Sequence, residues 1–311
     1  SKDPLAKELG TEAGGTYRLE IHKGRTVLEN IVEVLPDVNT GDPAELARFI
    51  VWGMSRCPAK RTMLVLWNHG LGWIDPKMEN APAGTGTANK GILFDDETKN
   101  YLRTAQMKEM MRQIGYTDIV MQNACLQQMA EVLYEMKDYA GLFVGSEETM
   151  LAQGFDYTGL LNFMNANPAF THEQLSDYLM NWYKAFYAAG MSVGPISVPL
   201  DEMGATLSTV RPAALGELPA YLDAFAGAAM RNNETEAAKL AVERVIRFTS
   251  LDPANDKKKM IAAYADLYDF ADLAGMNAKS PETKRAAEAL KGFIKNRLVL
   301  RSVGINGDKQ N

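Results

Sequence analysis

Reactive side chains are scarce in this chain of 311 residues, which holds two cysteines, Cys57 and Cys125, and three histidines, His22, His69 and His172. Two thiols cannot build a disulfide framework or a cysteine-rich zinc site. No two histidines share an H-x-H or helical i, i+4 spacing, so a resident metal is not expected. What remains is thiol and imidazole chemistry, in which a thiolate attacks a carbonyl carbon and an imidazole moves the proton. His69 directly follows the apolar run Thr62–Trp67 and Asn68, with Gly70 next. Cys125 follows the run Ile119–Ala124 and is read as opening the next helix, where backbone N–H groups and the helix dipole would lower its pKa. A glycine beside the histidine lets its N–H approach a substrate oxygen, so the amides of Gly70 and Cys125 form a candidate oxyanion hole.

Each of these residues also has a plain structural reading. A lone cysteine in an apolar run is often a small buried hydrophobe, and a lone histidine after a strand is often only a hydrogen-bonded loop residue. Their joint placement, both at strand ends with His69 standing 56 positions before Cys125, favours chemistry. Cys57 precedes Pro58 at a helix end and reads as structural; His22 and His172 read as surface residues.

The elements that must carry these residues follow from hydrophobic periodicity. Tyr17–Ile21 and Ile31–Leu35 alternate as strands, and Asp42-Pro43-Ala44-Glu45 is a helix start with a capping acid and a proline at the first turn. Thr62–Trp67, Asp118–Met121 and Gly141–Ser146 are apolar runs of the kind buried on both faces of an α/β sheet, and a short strand is expected at Gly91–Phe94. A helix through Tyr101–Ile114 lies between the first two runs. Between the next two, Leu126, Met129, Ala130, Leu133 and Met136 form an apolar helix face with Gln127, Glu131, Glu135 and Asp138 opposite. Strand, helix, strand, helix, strand predicts a parallel sheet sandwiched by helices.

Further on, helices are expected at 157–165 and 172–188 and a strand at Ser192–Val198. From Asp201 onward strands look scarce, with helices at 213–230, 234–248, 258–274 and 281–295 and a closing strand at Arg297–Ile305. A boundary is therefore placed near residue 200: an α/β domain over 1–200 and a mainly helical region over 201–311 packed on it. Residues 74–90 read as a long exposed loop.

Composition narrows the partners. Hydrophobic residues make up 46% and charged residues 23%, as in ordinary globular proteins. A net charge of −6 argues against a nucleic-acid surface, and no uncharged run reaches the ~20 residues of a membrane span. Residues 1–15 are polar, begin without Met and show no signal-peptide pattern.

Five segments in order, Leu64–Trp73 (LVLWNHGLGW), Ala124–Leu126 with Ala130-Glu131, Gly145–Glu148 (GSEE), Gly154–Tyr157 (GFDY) and Asp266–Ala271 (DLYDFA), resemble the clostripain family of cysteine endopeptidases, relatives of the caspases. The resemblance covers roughly residues 16–305. It implies a caspase-like α/β/α sandwich with a mostly parallel sheet and a helical C-terminal region, and it puts His69 and Cys125 on the catalytic dyad. It implies a peptide or protein substrate cleaved after Arg or Lys, bound through acidic groups. Family members carry Asp two residues before the nucleophile, where this chain has Asn123; Glu147, Glu148 and Asp156 are the candidates to supply the charge. The alternative is a catalytically silent relative that binds peptides or surface partners.

The resemblance further implies self-cleavage in the 74–90 loop, with Lys77 and Lys90 as candidate sites, and calcium as an optional cofactor, with Asp95-Asp96-Glu97 as the nearby acidic cluster. It implies a secreted or bacterial envelope location. No counterpart of the family's first strand precedes Tyr17, so either a missing N-terminal fragment pairs with the sheet edge or the fold is rearranged there.

Overall fold

A computed structural model describes residues 15–73, 91–95, 97–151, 153–193, 196–200, 203–248 and 264–306. The loop of residues 74–90, with Lys77 and Lys90, lies outside the described residues, as does Asp96.

A two-stranded antiparallel ribbon opens the fold, β1 (Thr16–Leu19) with β2 (Ile31–Leu35). Helix α1 (Pro43–Arg56) starts as its sequence predicts, with the Asp42 carboxylate accepting from the Ala44 N–H at 2.8 Å and Pro43 in the first turn. The central sheet has five strands in the order β11-β8-β5-β4-β3, where β3 is Met63–Trp67, β4 Thr117–Asn123, β5 Ala140–Gly145, β8 Ala205–Val210 and β11 Val299–Ile305. Strands β3, β4 and β5 are mutually parallel; β8 is antiparallel to both β5 and β11. Helix α2 (Thr104–Ile114) connects β3 to β4, and α3 (Ala130–Met136) connects β4 to β5.

Alternation along the strands builds two cores. Leu64, Leu66, Val120 and Phe143 face one side with α2, α3 and the C-terminal helices. Ile119, Met121, Leu142 and Val144 face the other, against α4 (Tyr157–Ala166) and α5 (His172–Ala189). Helix α5 begins with a capping box between Thr171 and Gln174. Strands β4 and β5 are buried on both faces, as continuous apolar runs demand, whereas β3, at the sheet edge, buries Leu64 and Leu66 and leaves Trp67 exposed.

The structure corrects the sequence reading in several places. The expected strand at Ser192–Val198 is a hairpin, β6 (Met191–Val193) with β7 (Ile196–Val198). Strands are not scarce beyond residue 201: β8 is interior to the main sheet, so the sheet draws on both sides of residue 200. Its sequence, ATLSTV, is rich in small and hydroxyl residues, and Thr206, Ser208 and Thr209 are buried there. The 213–230 helix divides into α6 (Pro212–Leu215) and α7 (Leu218–Arg231). Helix α8 (Thr235–Arg244) is followed by β9 (Arg247–Phe248), which pairs with β10 (Tyr264–Ala265). Helices α9 (Leu267–Asn277) and α10 (Pro281–Phe293) follow, and a π-helical turn, Ile294–Leu298, leads into β11. The Gly91–Phe94 segment contributes only isolated bridges, Ile92 to Gly70 and to Leu102.

Candidate active site

Parallel pairing sets Trp67, the last residue of β3, opposite Asn123, the last residue of β4. His69 and Cys125 each stand two residues beyond these partners. Both therefore lie past the carboxyl ends of adjacent strands, where open α/β sheets bind ligands. The loops they occupy touch: a β-carbon on Gly70 would collide with the Cys125 carbonyl oxygen and lie 3.0 Å from the Ala124 Cβ. Only glycine permits that approach. His69 is exposed, Gly70 is buried and Cys125 is half-buried.

Buried side chains fasten the two loops. Gln127, with no exposed surface, lies between them; with its carboxamide oxygen turned toward the histidine loop it accepts from the N–H of Gly72 at 3.1 Å and of Leu71 at 3.3 Å. The Tyr264 hydroxyl donates to the Leu71 carbonyl, and the Leu71 N–H donates to Gly91 at 3.1 Å. On the cysteine side, Leu126 adopts φ +59° and its N–H donates to the Glu148 carbonyl at 3.2 Å, while the Gln128 N–H donates to Ser146 at 3.0 Å. A left-handed leucine is strained by about 1–3 kcal/mol, and the two hydrogen bonds hold it there.

This geometry corrects the expected setting of Cys125. The thiol does not open a helix: α3 starts only at Ala130, and the intervening residues form a turn and an extended segment. Gln127 is not on a polar helix face but fully buried. With no helix dipole at the sulfur, the Met150 N–H takes its place and donates to Cys125 Sγ at 3.2 Å. Burial pushes the thiol pKa up, the N–H groups of Met150 and of Cys125 itself pull it down, and the Glu148 charge pushes it up again; the net direction is upward.

Asn123 is buried at the end of β4, and its carboxamide donates to the Tyr157 hydroxyl at 2.7 Å. It packs so closely on Gly154, whose φ is +66°, that no larger residue fits there. The Tyr157 ring lies 5.5 Å from that of Trp67, which is 53% exposed. Trp67, Asn123 and Tyr157 thus form a wall on the α4–α5 face of the sheet. Glu147 and Glu148 follow the end of β5; their N–H groups donate to the Thr206 hydroxyl at 2.9 and 3.1 Å. Glu148 is buried, and its carboxylate accepts from the Thr149 N–H at 2.6 Å. Asp156 caps α4, accepting from the Gly159 N–H at 2.9 Å, and is exposed.

Asp95, the first residue of the acidic cluster, is buried and accepts from the N–H groups of Thr40, Glu97 and Thr98 and from two threonine hydroxyls. Burial alone would raise its pKa, but these donors together hold it down at about 2. Among the described residues no group of three or more His, Cys, Asp or Glu side chains could hold a metal ion. Nor is any described helix long and apolar enough to cross a membrane.

Of the other residues considered, His22 is exposed and pairs with Glu20 at 3.0 Å, Cys57 is exposed, and His172 opens α5 half-buried. Sequence reasoning missed the roles of Gln127, Met150 and Tyr264. Only the polar Gln127 beside an apolar run carried a local signal.

Comparison with known proteins adds the following. The model of the clostripain family, peptidase family C11, matches residues 13–310. No curated protein sequence matches the chain. Among solved structures, the chain is similar to a secreted C11 cysteine protease from Bacteroides thetaiotaomicron bound to an irreversible peptide inhibitor, with a TM-score of 0.60 and 17% identity over 90% of this chain and 68% of that one. It is also similar to the inactive zymogen of a C11 protease from Parabacteroides distasonis, with a TM-score of 0.59 and 17% identity over 94% and 69%. A secreted Bacteroides thetaiotaomicron C11 protease called iotapain aligns with a TM-score of 0.62 and 14% identity over 96% and 76%. The architecture is the caspase-like α/β/α sandwich of these proteases.

Proposed function

Because the chain belongs to the clostripain family of cysteine peptidases, we propose that it hydrolyses peptide bonds with Cys125 as nucleophile and His69 as general acid and base. His69 takes the Cys125 proton, and the sulfur adds to the carbonyl carbon. The oxyanion is held by the N–H groups of Gly70 and Cys125. Collapse of the tetrahedral adduct breaks the C–N bond as His69 protonates the leaving amine. Water, deprotonated by His69, then adds to the thioester, and its collapse returns acid product and free thiol. The observation that carries this reading is the direct packing of the His69–Gly70 loop on the Cys125 backbone.

Cleavage after Arg or Lys is the family preference. Here Asn123 offers a carboxamide already engaged by Tyr157, not a charge, so we expect weakened selectivity for basic residues, with Glu147, Glu148 and Asp156 as the nearby acids. Secretion or an envelope location, self-cleavage at Lys77 or Lys90, optional stimulation by calcium and pairing of β3 with an added N-terminal strand belong to the same proposal. Among the described residues β3 has a sheet neighbour on one side only, which favours the last.

Asn123 in place of the family's aspartate, with its carboxamide engaged by Tyr157, favours a second reading, a silent relative that binds peptides. A peptide probe with a thiol-reactive warhead separates the two. Labelling at Cys125 together with peptide hydrolysis, both abolished in Cys125→Ala, supports the peptidase. Undiminished hydrolysis by Cys125→Ala would overturn the assignment. No labelling under reducing conditions, with or without calcium, would favour the silent relative.

A further inference from the structure

The wall of Trp67, Asn123 and Tyr157 lies on one face of the sheet. On the opposite face, among the described residues, a groove of about 1100 Å³ lies beside the same carboxyl edge. Its lining there includes Trp73, four residues past His69, Gln128, three past Cys125, and Glu147, just after β5. Its floor is apolar, with Leu133, Leu218, Phe248 and Phe270 among its lining residues. The other acidic residues of its lining include Glu131 and Glu135 on α3, exposed and half-buried, against Lys295. Cys125 packs against both cores, so it stands between wall and groove.

We infer that this groove binds the part of a peptide substrate that follows the scissile bond, and that it selects an apolar residue flanked by Lys or Arg. The inference rests on the peptidase reading above. In that reading His69 protonates the leaving nitrogen, so the chain beyond that nitrogen runs along the histidine loop toward Trp73. The acyl side is left to the Asn123–Tyr157 wall. The apolar floor supplies burial for one large side chain. The acidic lining supplies charge complementarity, which selects partners more than it tightens them. Neither Glu131 nor Glu135 belongs to the catalytic loops, so the groove sets preference, not chemistry.

The test compares two labelled peptides, identical up to the scissile residue and continuing as Leu-Lys-Phe-Lys or Leu-Glu-Phe-Glu. Binding is measured by anisotropy to Cys125→Ala, and kcat/KM to the unmodified enzyme. The basic peptide is expected to be favoured about tenfold in both, narrowing to within about twofold when Glu131→Gln and Glu135→Gln are combined. A melting curve checks that the variant folds, and Leu218→Ala in a second variant should weaken both peptides alike. Equal binding of the two peptides, or a preference that survives the double substitution, overturns the groove. A preference in binding without any hydrolysis would keep the groove and remove the peptidase reading. Hydrolysis without a preference would do the reverse.

Discussion

Replacing Gly70 by alanine isolates the contact on which the proposed dyad depends. Alanine keeps the backbone N–H, so no oxyanion donor is lost. What is added is one β-carbon, which would lie 2.8 Å from the carboxamide end of Gln127, 3.0 Å from Ala124 Cβ and closer still to the Cys125 carbonyl oxygen. The shortfall from an ordinary contact at that oxygen is about 1 Å. The Gln127 amide can swing away, but the carbonyl is backbone. Its loop is tied through Leu126 and Gln128 to the end of β5, while the histidine loop is tied to Gly91 and Tyr264. The two loops must part by about that distance. A misplacement of about 1 Å at a reacting pair can cost about 100-fold, equivalent to about 2.7 kcal/mol of barrier. Overpacking of this size costs about 1–3 kcal/mol of stability. We expect kcat/KM on a good peptide to fall about 100-fold with a modest drop in Tm. Alkylation of Cys125 by iodoacetamide should change only a few-fold, because the Met150 N–H on the sulfur lies away from the clash. A Gly70→Ala enzyme within threefold of the parent in kcat/KM would refute the argument that this close approach aligns the dyad.

Other outcomes follow from the same geometry. Glu148→Gln removes a negative charge that disfavours the thiolate, so the alkylation profile of Cys125 should move to lower pH; an unmoved or raised midpoint would contradict the assigned direction. Asn123→Asp places a carboxylate where the Tyr157 hydroxyl can donate to it, and should raise selectivity for Arg or Lys before the cut about tenfold, read as a ratio of kcat/KM values. Asp95, held near 2 against an ordinary 3.8, contributes about 2 kcal/mol at neutral pH. A depressed carboxyl stabilises the fold above its unfolded pKa and loses that contribution as pH falls through the folded one. Urea unfolding of the parent and of Asp95→Asn should therefore converge between about pH 4 and 2, and a gap independent of pH would show that the charge is not what stabilises.

The strands that carry His69 and Cys125 were legible because they are continuous apolar runs; the sheet buries β4 on both faces, and β3, at its edge, on the face of Leu64 and Leu66. Strand β8 was not. Its buried hydroxyls, Thr206, Ser208 and Thr209, look like loop chemistry until the sheet supplies their partners: Thr206 takes the N–H groups of Glu147 and Glu148, and the Ser208 carbonyl takes the Gln128 amide. The same kind of partner explains the error at Cys125. Apolar spacing from Leu126 to Met136 fits a helix at every position, but the first residues are spent turning the chain over the edge of the sheet. Leu126 is buried by that turn, not by a helix face.

That turn has a consequence for chemistry. A thiol at a helix start would be activated by the local fold alone. Here the N–H groups of Met150 and of Cys125 itself favour the thiolate, opposed by burial and by Glu148. The ionisation of the proposed nucleophile therefore depends on how Glu148 and Met150 sit against Cys125. Activation in this fold is a tertiary property, which is why neither the Cys125 sequence context nor its place after a strand could state it.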